Sequence, residues 1–332
     1  MQYNTALGGV QMWTANAAKL RPLTHMRPAL GRIAPRLGLR RFFSALPRAD
    51  STAVLSDADV EKFHEEGAIV LRGGFAPWVE YLRAGAEKNL VEPGPLCDEH
   101  AAAQGTGGRF HDDQFLWRRH VPFEEFVLHS GAGSIAAAAM KSDSAHIFYD
   151  QLFVKEPGTA APTPWHNDTS YWHTQGDQIC SIWVALDEVP RERGLSYVKG
   201  SHRWGLVHRI TNFSGGDHSD KNTYSDVDGE QLPPVPDVDA GVASGEYELL
   251  SWDMQPGDAL LFYSAMMHGA PGNPPNSPHR RRGYATRWCG DDVTFDDRPG
   301  TMHTGWKAAG FDCGLRSGEP IECELHPNCA AY

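Results

Sequence analysis

The stretch Pro164-Trp165-His166-Asn167-Asp168 sets a histidine and an aspartate two residues apart, directly after a proline-rich turn. Such a His-x-Asp segment supplies two of the three protein ligands of a mononuclear iron site, and a histidine from elsewhere in the chain supplies the third. Two imidazoles and one carboxylate on one face of Fe(II) leave three positions open, enough for a bidentate 2-oxo acid and O₂. The stretch therefore predicts a metal site at the mouth of a β-barrel.

Two other segments carry the same His-x-Asp spacing, one beginning at His111 and one at His218. His218 lies in an acidic stretch that has no predicted scaffold to hold a ligand. His111 precedes a stretch around Trp117 with a helical pattern. Because His166 follows a strand and a turn, the pair His166 and Asp168 is the one predicted to bind iron.

The third ligand is predicted to be His268, which comes after a strand over 259–263 and opens the segment His268-Gly269-Ala270-Pro271. A strand that returns beside the first segment would bring this imidazole to His166 and Asp168. Any one of these histidines could instead be a hydrogen-bonded turn residue. The combination in this context favours an Fe(II) site.

A 2-oxo acid also needs a cation for its distal carboxylate. Arginine suits that role because its planar guanidinium binds a carboxylate in two places. Arg280, Arg281 and Arg282 stand just before a strand predicted over 283–288, where side chains alternate between two faces. One face carries Arg281, Gly283, Ala285 and Arg287, and the other carries Arg282, Tyr284, Thr286 and Trp288. The small residues beyond Arg281 leave room for a ligand, so Arg281 is the predicted cosubstrate residue, and Arg280 is predicted to face solvent.

The rest of the chain has the pattern of a mainly β protein with flanking helices. Ser56 and Gly67 bracket a predicted helix over 57–66, because serine caps helix starts and glycine ends helices. Further helices are predicted over 78–89 and 123–141, the second broken around Gly131 and Gly133, and a turn is predicted over 155–158. Strands are predicted over 68–71, 146–154, 178–186, 194–198, 247–252, 259–263 and 283–288. Short strands separated by turns are typical of a sandwich or jelly roll.

Residues 211–246 interrupt this pattern, being rich in Asp, Gly, Pro and Ser with little apolar periodicity. A loop of this length inside a compact domain is either a lid or a solvated insertion, and the sequence leaves both open.

The 332 residues, 41% of them hydrophobic, suit one large globular domain or two small ones. Residues 1–49 hold eight basic residues and no acidic one, which leaves 22 basic and 42 acidic residues in the remainder. Because such an acidic body repels phosphate backbones, we expect no nucleic-acid partner. No stretch approaches about 18 uninterrupted apolar residues, so we also expect no membrane-spanning segment.

The basic start of the chain is typical of an organellar transit peptide, and Arg41-Phe42-Phe43-Ser44 matches a matrix-processing site. Residues 1–43 are therefore predicted to be a mitochondrial transit peptide and 50–332 a single domain. A basic tail is the alternative, with a peroxisomal or cytoplasmic location, although the terminal Ala330-Ala331-Tyr332 is not a Ser-Lys-Leu signal. The six cysteines form no CxxC pair and are predicted to be free thiols.

From about 57 to 288 the sequence resembles the phytanoyl-CoA dioxygenase family. The similarity is densest in three segments that follow in family order: YDQLFVK over 149–155, PWHND over 164–168 and IWVALD over 182–187. Gly200-Ser201-His202, Pro256-Gly257-Asp258 and His268-Gly269 continue it. The family usually has Gln where this chain has Asn167, a position that is not a ligand.

The resemblance implies a double-stranded β-helix, which is a cupin-like jelly roll flanked by N-terminal helices. It also implies a dioxygenase that uses Fe(II), 2-oxoglutarate and O₂ to hydroxylate a small organic molecule, with release of succinate and CO₂. In family terms His166, Asp168 and His268 match the iron ligands, Arg281 matches the 2-oxoglutarate arginine, and Gln151 and Trp183 fall where relatives contact the cosubstrate. Relatives that halogenate have a small residue at the position of Asp168, so the carboxylate implies hydroxylation.

Two alternatives stay open at this level. One is a catalytically silent jelly-roll binding or scaffold protein, and the other is a cupin-like metalloenzyme that uses no 2-oxo acid. The sequence determines neither the substrate nor the oligomeric state. An acyl-CoA would favour a basic patch for its phosphates, so the acidic body favours a small free molecule.

Overall fold

Short antiparallel strands make up most of the regular structure in the computed structural model, which describes residues 55–100, 108–159, 162–209, 232–277, 279–298 and 300–330. The strands are β1 (Ala68–Leu71), β2 (Asp98–Glu99), β3 (Phe110–Gln114), β4 (His146–Lys155), β5 (Thr163–His166), β6 (Thr174–Gln175), β7 (Ile179–Ala185), β8 (Ser196–Val198), β9 (Leu249–Leu250), β10 (Ala259–Tyr263), β11 (His268–Ala270), β12 (Arg281–Cys289) and β13 (Thr294–Phe295). The helices are α1 (Asp57–Glu66), α2 (Val79–Val91), α3 (Val121–His129), α4 (Ala132–Met140), α5 (Val238–Ser244) and α6 (His303–Ala308).

Two sheets face each other. The larger has seven strands in the order β1-β10-β7-β12-β4-β3-β2, and the smaller has four in the order β5-β11-β8-β9. Tyr197 of the smaller sheet packs in one buried cluster with Trp183, Leu260 and Phe262 of the larger. The core therefore lies between the sheets, as expected when two sheets bury one face each. The predicted fold, mainly β with flanking helices in a jelly roll, is confirmed.

Alternation along β12 divides its side chains between the two faces of the larger sheet. Ala285 points into the core between the sheets, whereas Tyr284 points out and packs against the rings of Phe123 and Phe126 in α3 at 4.6 and 5.4 Å between centroids. Helices thus cover the outer face of the larger sheet, and the inner face of β12 looks into the barrel.

The predicted helix boundaries hold where a capping residue is present. Ser56 accepts a hydrogen bond from the backbone N–H of Asp59, while the Asp59 carboxylate accepts one from the backbone N–H of Ser56, a reciprocal cap. Gly67 ends α1 with φ at +88°, in the left-handed region that glycine enters without strain. Without such a cap, the helix predicted over 78–89 spans Val79–Val91 instead. The stretch over 123–141 is two helices, separated at Gly131.

Two predictions about the middle of the chain are wrong in part. Of the strand predicted over 247–252, only Leu249–Leu250 pairs, because β9 lies at the edge of the smaller sheet and meets β8 alone. Helix α5 lies inside the segment predicted to be an irregular loop, and its Val238 packs against Val198 and Met267. Tertiary packing therefore stabilises a helix too short to show periodicity. Residues 210–231, including His218, lie outside the described residues, so a lid there stays a prediction.

The end of the chain corrects the prediction of six free thiols. Cys313 and Cys323 form a disulfide, while Cys97, Cys180, Cys289 and Cys329 are free. The ten-residue spacing gave no signal, because the pairing depends on the chain reversing after α6. Among the described residues, every helix is too short or too polar to cross a membrane.

Candidate active site

The three predicted metal ligands come together at one end of the smaller sheet. His166 ends β5 and His268 begins β11, and the two residues are directly paired in the antiparallel ladder. Asp168 opens the short 3₁₀ turn that follows β5. The ligand atoms of all three residues lie within 4.8 Å of one another, and all three side chains are buried.

Backbone carbonyls set the tautomer of both imidazoles. His166 Nδ1 lies 2.8 Å from the carbonyl oxygen of Pro164, and His268 Nδ1 lies 2.9 Å from that of Met266. A carbonyl can only accept, so each Nδ1 carries the proton and each Nε2 keeps its lone pair, as metal-binding histidines require. The Nε2 of His166 lies 3.6 Å from the Asp168 carboxylate.

The charge states at this site match what a divalent metal needs. Burial, followed by the neighbouring His166, lowers the pKa of His268 to about 4, so its imidazole is neutral at physiological pH. Burial acts to raise the pKa of Asp168, but His166, His268 and Arg287 outweigh it and bring this pKa down to about 2. Two imidazoles and one carboxylate form the donor set of ferrous oxygenases, so the residues fit Fe(II).

The rival pair at His111 lies elsewhere and is already engaged. His111 sits in β3, which the sequence did not predict to be a strand, with Nε2 2.9 Å from the Asn89 amide nitrogen and Nδ1 2.9 Å from the Glu99 carboxylate. Cys97 and Glu99 lie close enough to His111 to form a second possible metal group. However, Arg109 forms an ion pair with Glu99 at 2.6 Å, so that carboxylate is neutralised by protein.

Arg281 opens β12 opposite Lys155, the last residue of β4. Directly opposed residues project from the same face of a sheet, so two cations stand side by side. The Lys155 ammonium donates to Thr163 Oγ1 at 3.1 Å, and burial, then Arg281, lowers its pKa. Burial, then Arg193, lowers the pKa of Arg281 to about 10. Among the described residues no carboxylate pairs with Arg281, so this corner suits a bound carboxylate such as the distal one of 2-oxoglutarate.

A cavity of about 100 Å³ borders Arg281, with Arg193, Ser277 and His279 in its wall. None of the three metal ligands lines this cavity. The cavity therefore lies on the outer side of the Arg281 site and does not mark the metal position. The three ligand residues His166, Asp168 and His268 define the reaction centre.

The neighbouring arginines have different roles. Arg282 points to the opposite face, where its guanidinium holds Asp187 at 2.6 Å and Glu87 at 2.8 Å. Arg280 is partly exposed and pairs with Glu87 and Glu156 at 2.7 and 3.0 Å. The faces predicted by alternation are therefore those observed, and of the three arginines Arg281 alone points to the barrel interior.

Gln151 and Trp183 both lie on the inner face, level with Ala285. The Gln151 amide nitrogen donates to Asp112 at 2.6 Å. The indole of Trp183 lies over Gly283, where any Cβ would meet the ring at 2.1 Å. The space that small residues leave beside Arg281 is thus filled largely by this indole, and contact of Gln151 and Trp183 with a cosubstrate stays a prediction.

Sequence reasoning missed Lys155 and Ser181. Lys155 was assigned to a turn, but extending the alternation of Gln151 and Phe153 by two residues places it inside the barrel. Ser181 on β7 directs its hydroxyl at the Asp168 carboxylate across 3.5 Å, and no feature of the sequence marks it.

A jelly roll in which two histidines and one aspartate converge, and in which Arg281 is paired with the buried Lys155 on the neighbouring strand, defines a mononuclear non-haem iron protein of the 2-oxo-acid-dependent class. The phytanoyl-CoA dioxygenase (PhyH) family model matches residues 63–283, so the chain belongs to that family. It is an Fe(II)- and 2-oxoglutarate-dependent dioxygenase, as the sequence predicted.

The individual relatives have low sequence identity to this chain, but the similarity extends over much of its length. A methylphosphonate hydroxylase from Gimesia maris is 24% identical over 241 residues, 68% of this chain and 78% of the relative. An ectoine dioxygenase from Nocardia farcinica is 24% identical over 220 residues, 64% of this chain and 70% of the relative. Among solved structures, the non-heme alpha ketoglutarate dependent carbocyclase SnoK has a TM-score of 0.62 at 22% identity, covering 82% of this chain and 96% of that one. This likeness supports the fold.

Proposed function

We propose that the enzyme hydroxylates a C–H bond of a small free molecule rather than of a coenzyme A ester. The observation that supports hydroxylation is the position of Asp168, whose carboxylate lies with His166 and His268 in one buried group of ligand atoms. A triad completed by protein leaves metal positions for the cosubstrate and O₂ only. Hydroxylation is the outcome that this arrangement favours over halogenation.

The chain's own part in the reaction is to position groups and exclude water. When bound, iron and 2-oxoglutarate supply the oxidising power that no amino acid side chain has. The carbonyls of Pro164 and Met266 orient the imidazoles, and Arg281 with Lys155 would hold the distal carboxylate of the cosubstrate. The buried ring of Tyr197 stacks on His268 at 5.6 Å, which keeps water from that side of the site.

Two observations support a small free substrate. The sequence outside residues 1–49 carries 22 basic and 42 acidic residues, an excess that disfavours the several phosphates of coenzyme A. The relatives from Gimesia maris and Nocardia farcinica are named for methylphosphonate and ectoine, both compact polar molecules. On the same charge argument we propose no nucleic-acid and no membrane partner.

The test is turnover of the purified protein supplied with Fe(II), 2-oxoglutarate and O₂. We expect succinate and CO₂ even without a second substrate, at a rate that rises with the right small molecule in an untargeted metabolite screen. His166→Ala, which removes a ligand, should abolish both products. A wild-type protein that binds iron yet releases no succinate under any condition would instead indicate a silent binding protein.

We also propose that the protein acts in mitochondria and that residues 1–43 direct it there and are dispensable for catalysis. The support is the basic, acid-free composition of residues 1–49 against the acidic remainder. A chain starting at Ser44 should turn over 2-oxoglutarate at the normal rate, and a fluorescent fusion of residues 1–43 should enter mitochondria. An inactive truncation, or a fusion that stays in the cytosol, contradicts the proposal.

A further inference from the structure

Arg287 is a second arginine on the inner face of β12, in the same row as Arg281, Gly283 and Ala285. The two arginines are six positions apart along the strand, about 20 Å between their Cα atoms at the usual rise per residue. Arg287 is only 4% exposed. The barrel interior thus contains one cation at the cosubstrate end and another farther along the same strand.

Strand register places Arg287 at the level of the metal site. Its directly paired residues are Ser181 on β7 and Tyr149 on β4, and all three side chains project from the same face. Ser181 reaches the Asp168 carboxylate at 3.5 Å. Arg287 therefore lies near the Asp168 ligand, at the end of β12 away from Arg281.

The guanidinium of Arg287 lacks the partners that buried arginines normally have. Its Nη1 donates to the Ala285 carbonyl across a long 3.4 Å, and its buried Nε has no hydrogen-bond partner among the described residues. In the described part of the chain no carboxylate forms an ion pair with it. By contrast Arg119 and Arg282 each hold an aspartate at 2.6 Å. The Asp168 carboxylate is near enough to interact with the charge of Arg287 but forms no ion pair with it. A buried charge whose donors are unsatisfied is costly, so this guanidinium suits an anionic ligand.

The surroundings hold this guanidinium in place. It stacks over the Tyr149 ring at 4.5 Å and lies 5.7 Å from the Phe153 ring. Tyr149 is fixed in turn, because its hydroxyl accepts a hydrogen bond from the Trp172 indole at 3.0 Å. Stacking on aromatic faces leaves the edge of the guanidinium, with its donors, free for a planar or tetrahedral oxyanion.

We propose that Arg287 binds an anionic group of the substrate, a carboxylate or phosphonate, at the end of β12 away from Arg281. The inference rests on the proposed function and narrows its substrate class to small anions. Arg281 and Arg287 then have matched tasks, one for the anion of the cosubstrate and one for the anion of the substrate.

The experiment titrates methylphosphonate into protein loaded with Mn(II) and saturated with 2-oxoglutarate, followed by calorimetry. Dimethyl methylphosphonate, which has the same core without the charge, is the control ligand. The wild type should bind the anion and not the ester. Arg287→Leu should weaken anion binding by roughly 30-fold or more, as expected for loss of a charge-assisted pair, and Arg287→Lys should fall between.

Retention of Mn(II) and of 2-oxoglutarate binding by Arg287→Leu shows that the variant is folded and separates its role from that of Arg281. Methylphosphonate is added at 50-fold the concentration of protein and above, up to about 50 mM, where even weak millimolar binding is detected. The proposal is overturned if the wild type binds no anion in this range. It is also overturned if Arg287→Leu binds the anion as well as the wild type, or if the variant loses 2-oxoglutarate instead. Failure of the wild type to decarboxylate 2-oxoglutarate with Fe(II) would refute the proposed function itself, a separate outcome.

Discussion

Replacing Arg281 by leucine tests the cosubstrate site directly. The guanidinium points into the barrel opposite Lys155 and has no carboxylate partner among the described residues, so its charge is available for the distal carboxylate of 2-oxoglutarate. The metal ligands lie on the other sheet, and iron should still bind to the variant. Arg281 is half-buried and donates only to the Arg193 carbonyl in the described structure, so removing its charge should change the stability of the ligand-free protein little.

The expected loss follows from the contacts. Removing one partner of a charge-assisted bidentate pair costs about 2–5 kcal/mol. Lys155 stays in place as a hydrogen-bond donor next to the lost guanidinium, which puts the expected loss at the lower end, about 2–3.5 kcal/mol. That corresponds to roughly 30- to 300-fold weaker binding of 2-oxoglutarate. The loss should appear in the apparent KM for 2-oxoglutarate, because the carboxylate contact is the same in ground and transition states.

Arg282→Leu is the matched control, since it removes the same group from the adjacent residue on the opposite face. It strips the buried Asp187 of its main partner, so we expect a stability loss of about 1–3 kcal/mol with little change in KM. Calorimetric titration of 2-oxoglutarate into anaerobic Fe(II)-loaded protein, urea unfolding and steady-state decarboxylation measure these quantities. If Arg282→Leu were the variant with the raised KM, the assignment of faces would be wrong. If neither changed KM, Arg281 would not bind the cosubstrate.

Three further predictions concern the metal, the pH dependence and the disulfide. His166→Ala should lose iron while His111→Ala keeps one iron per chain, as measured by metal analysis; the reverse result would move the site to β3. Burial lowers the pKa of His326 from 6.5 to about 4, so the unfolded chain binds a proton that the folded one does not, and stability should fall as pH drops through that window. When urea unfolding is measured at pH 7 and pH 4, His326→Asn should reduce this loss of unfolding free energy by on the order of 3 kcal/mol. An unchanged difference in unfolding free energy between the two pH values would contradict the assignment. Exchanging both Cys313 and Cys323 for serine should cost about 3 kcal/mol for a loop of this length, and wild-type protein treated with reductant should match the variant; equal stability with and without reductant would count against the bond.

Local physics explains why several features were predictable from the sequence. A serine cap with an acid three residues later and a glycine at the end define α1, because these interactions involve near neighbours only. The strict two-residue period of a strand placed Arg281 and Arg287 on one face of β12 and Arg282 on the other. His166 and Asp168 are ligands from one short segment, so their spacing alone brings them to the same point.

The tertiary structure decided everything that depends on which strands lie side by side. His268 meets His166 because β11 pairs with β5, and Lys155 joins Arg281 because β4 pairs with β12 in one particular register. The contacts of Val238 in α5 with Val198 and Met267 likewise depend on segments that are distant in the sequence. The sequence determined which residues could bind a metal and an oxo acid, since that is a matter of side-chain chemistry and local period. Only strand pairing, whose energy is shared over many distant contacts, decided which of those residues face one another, and it placed Arg287 near Asp168 through Ser181.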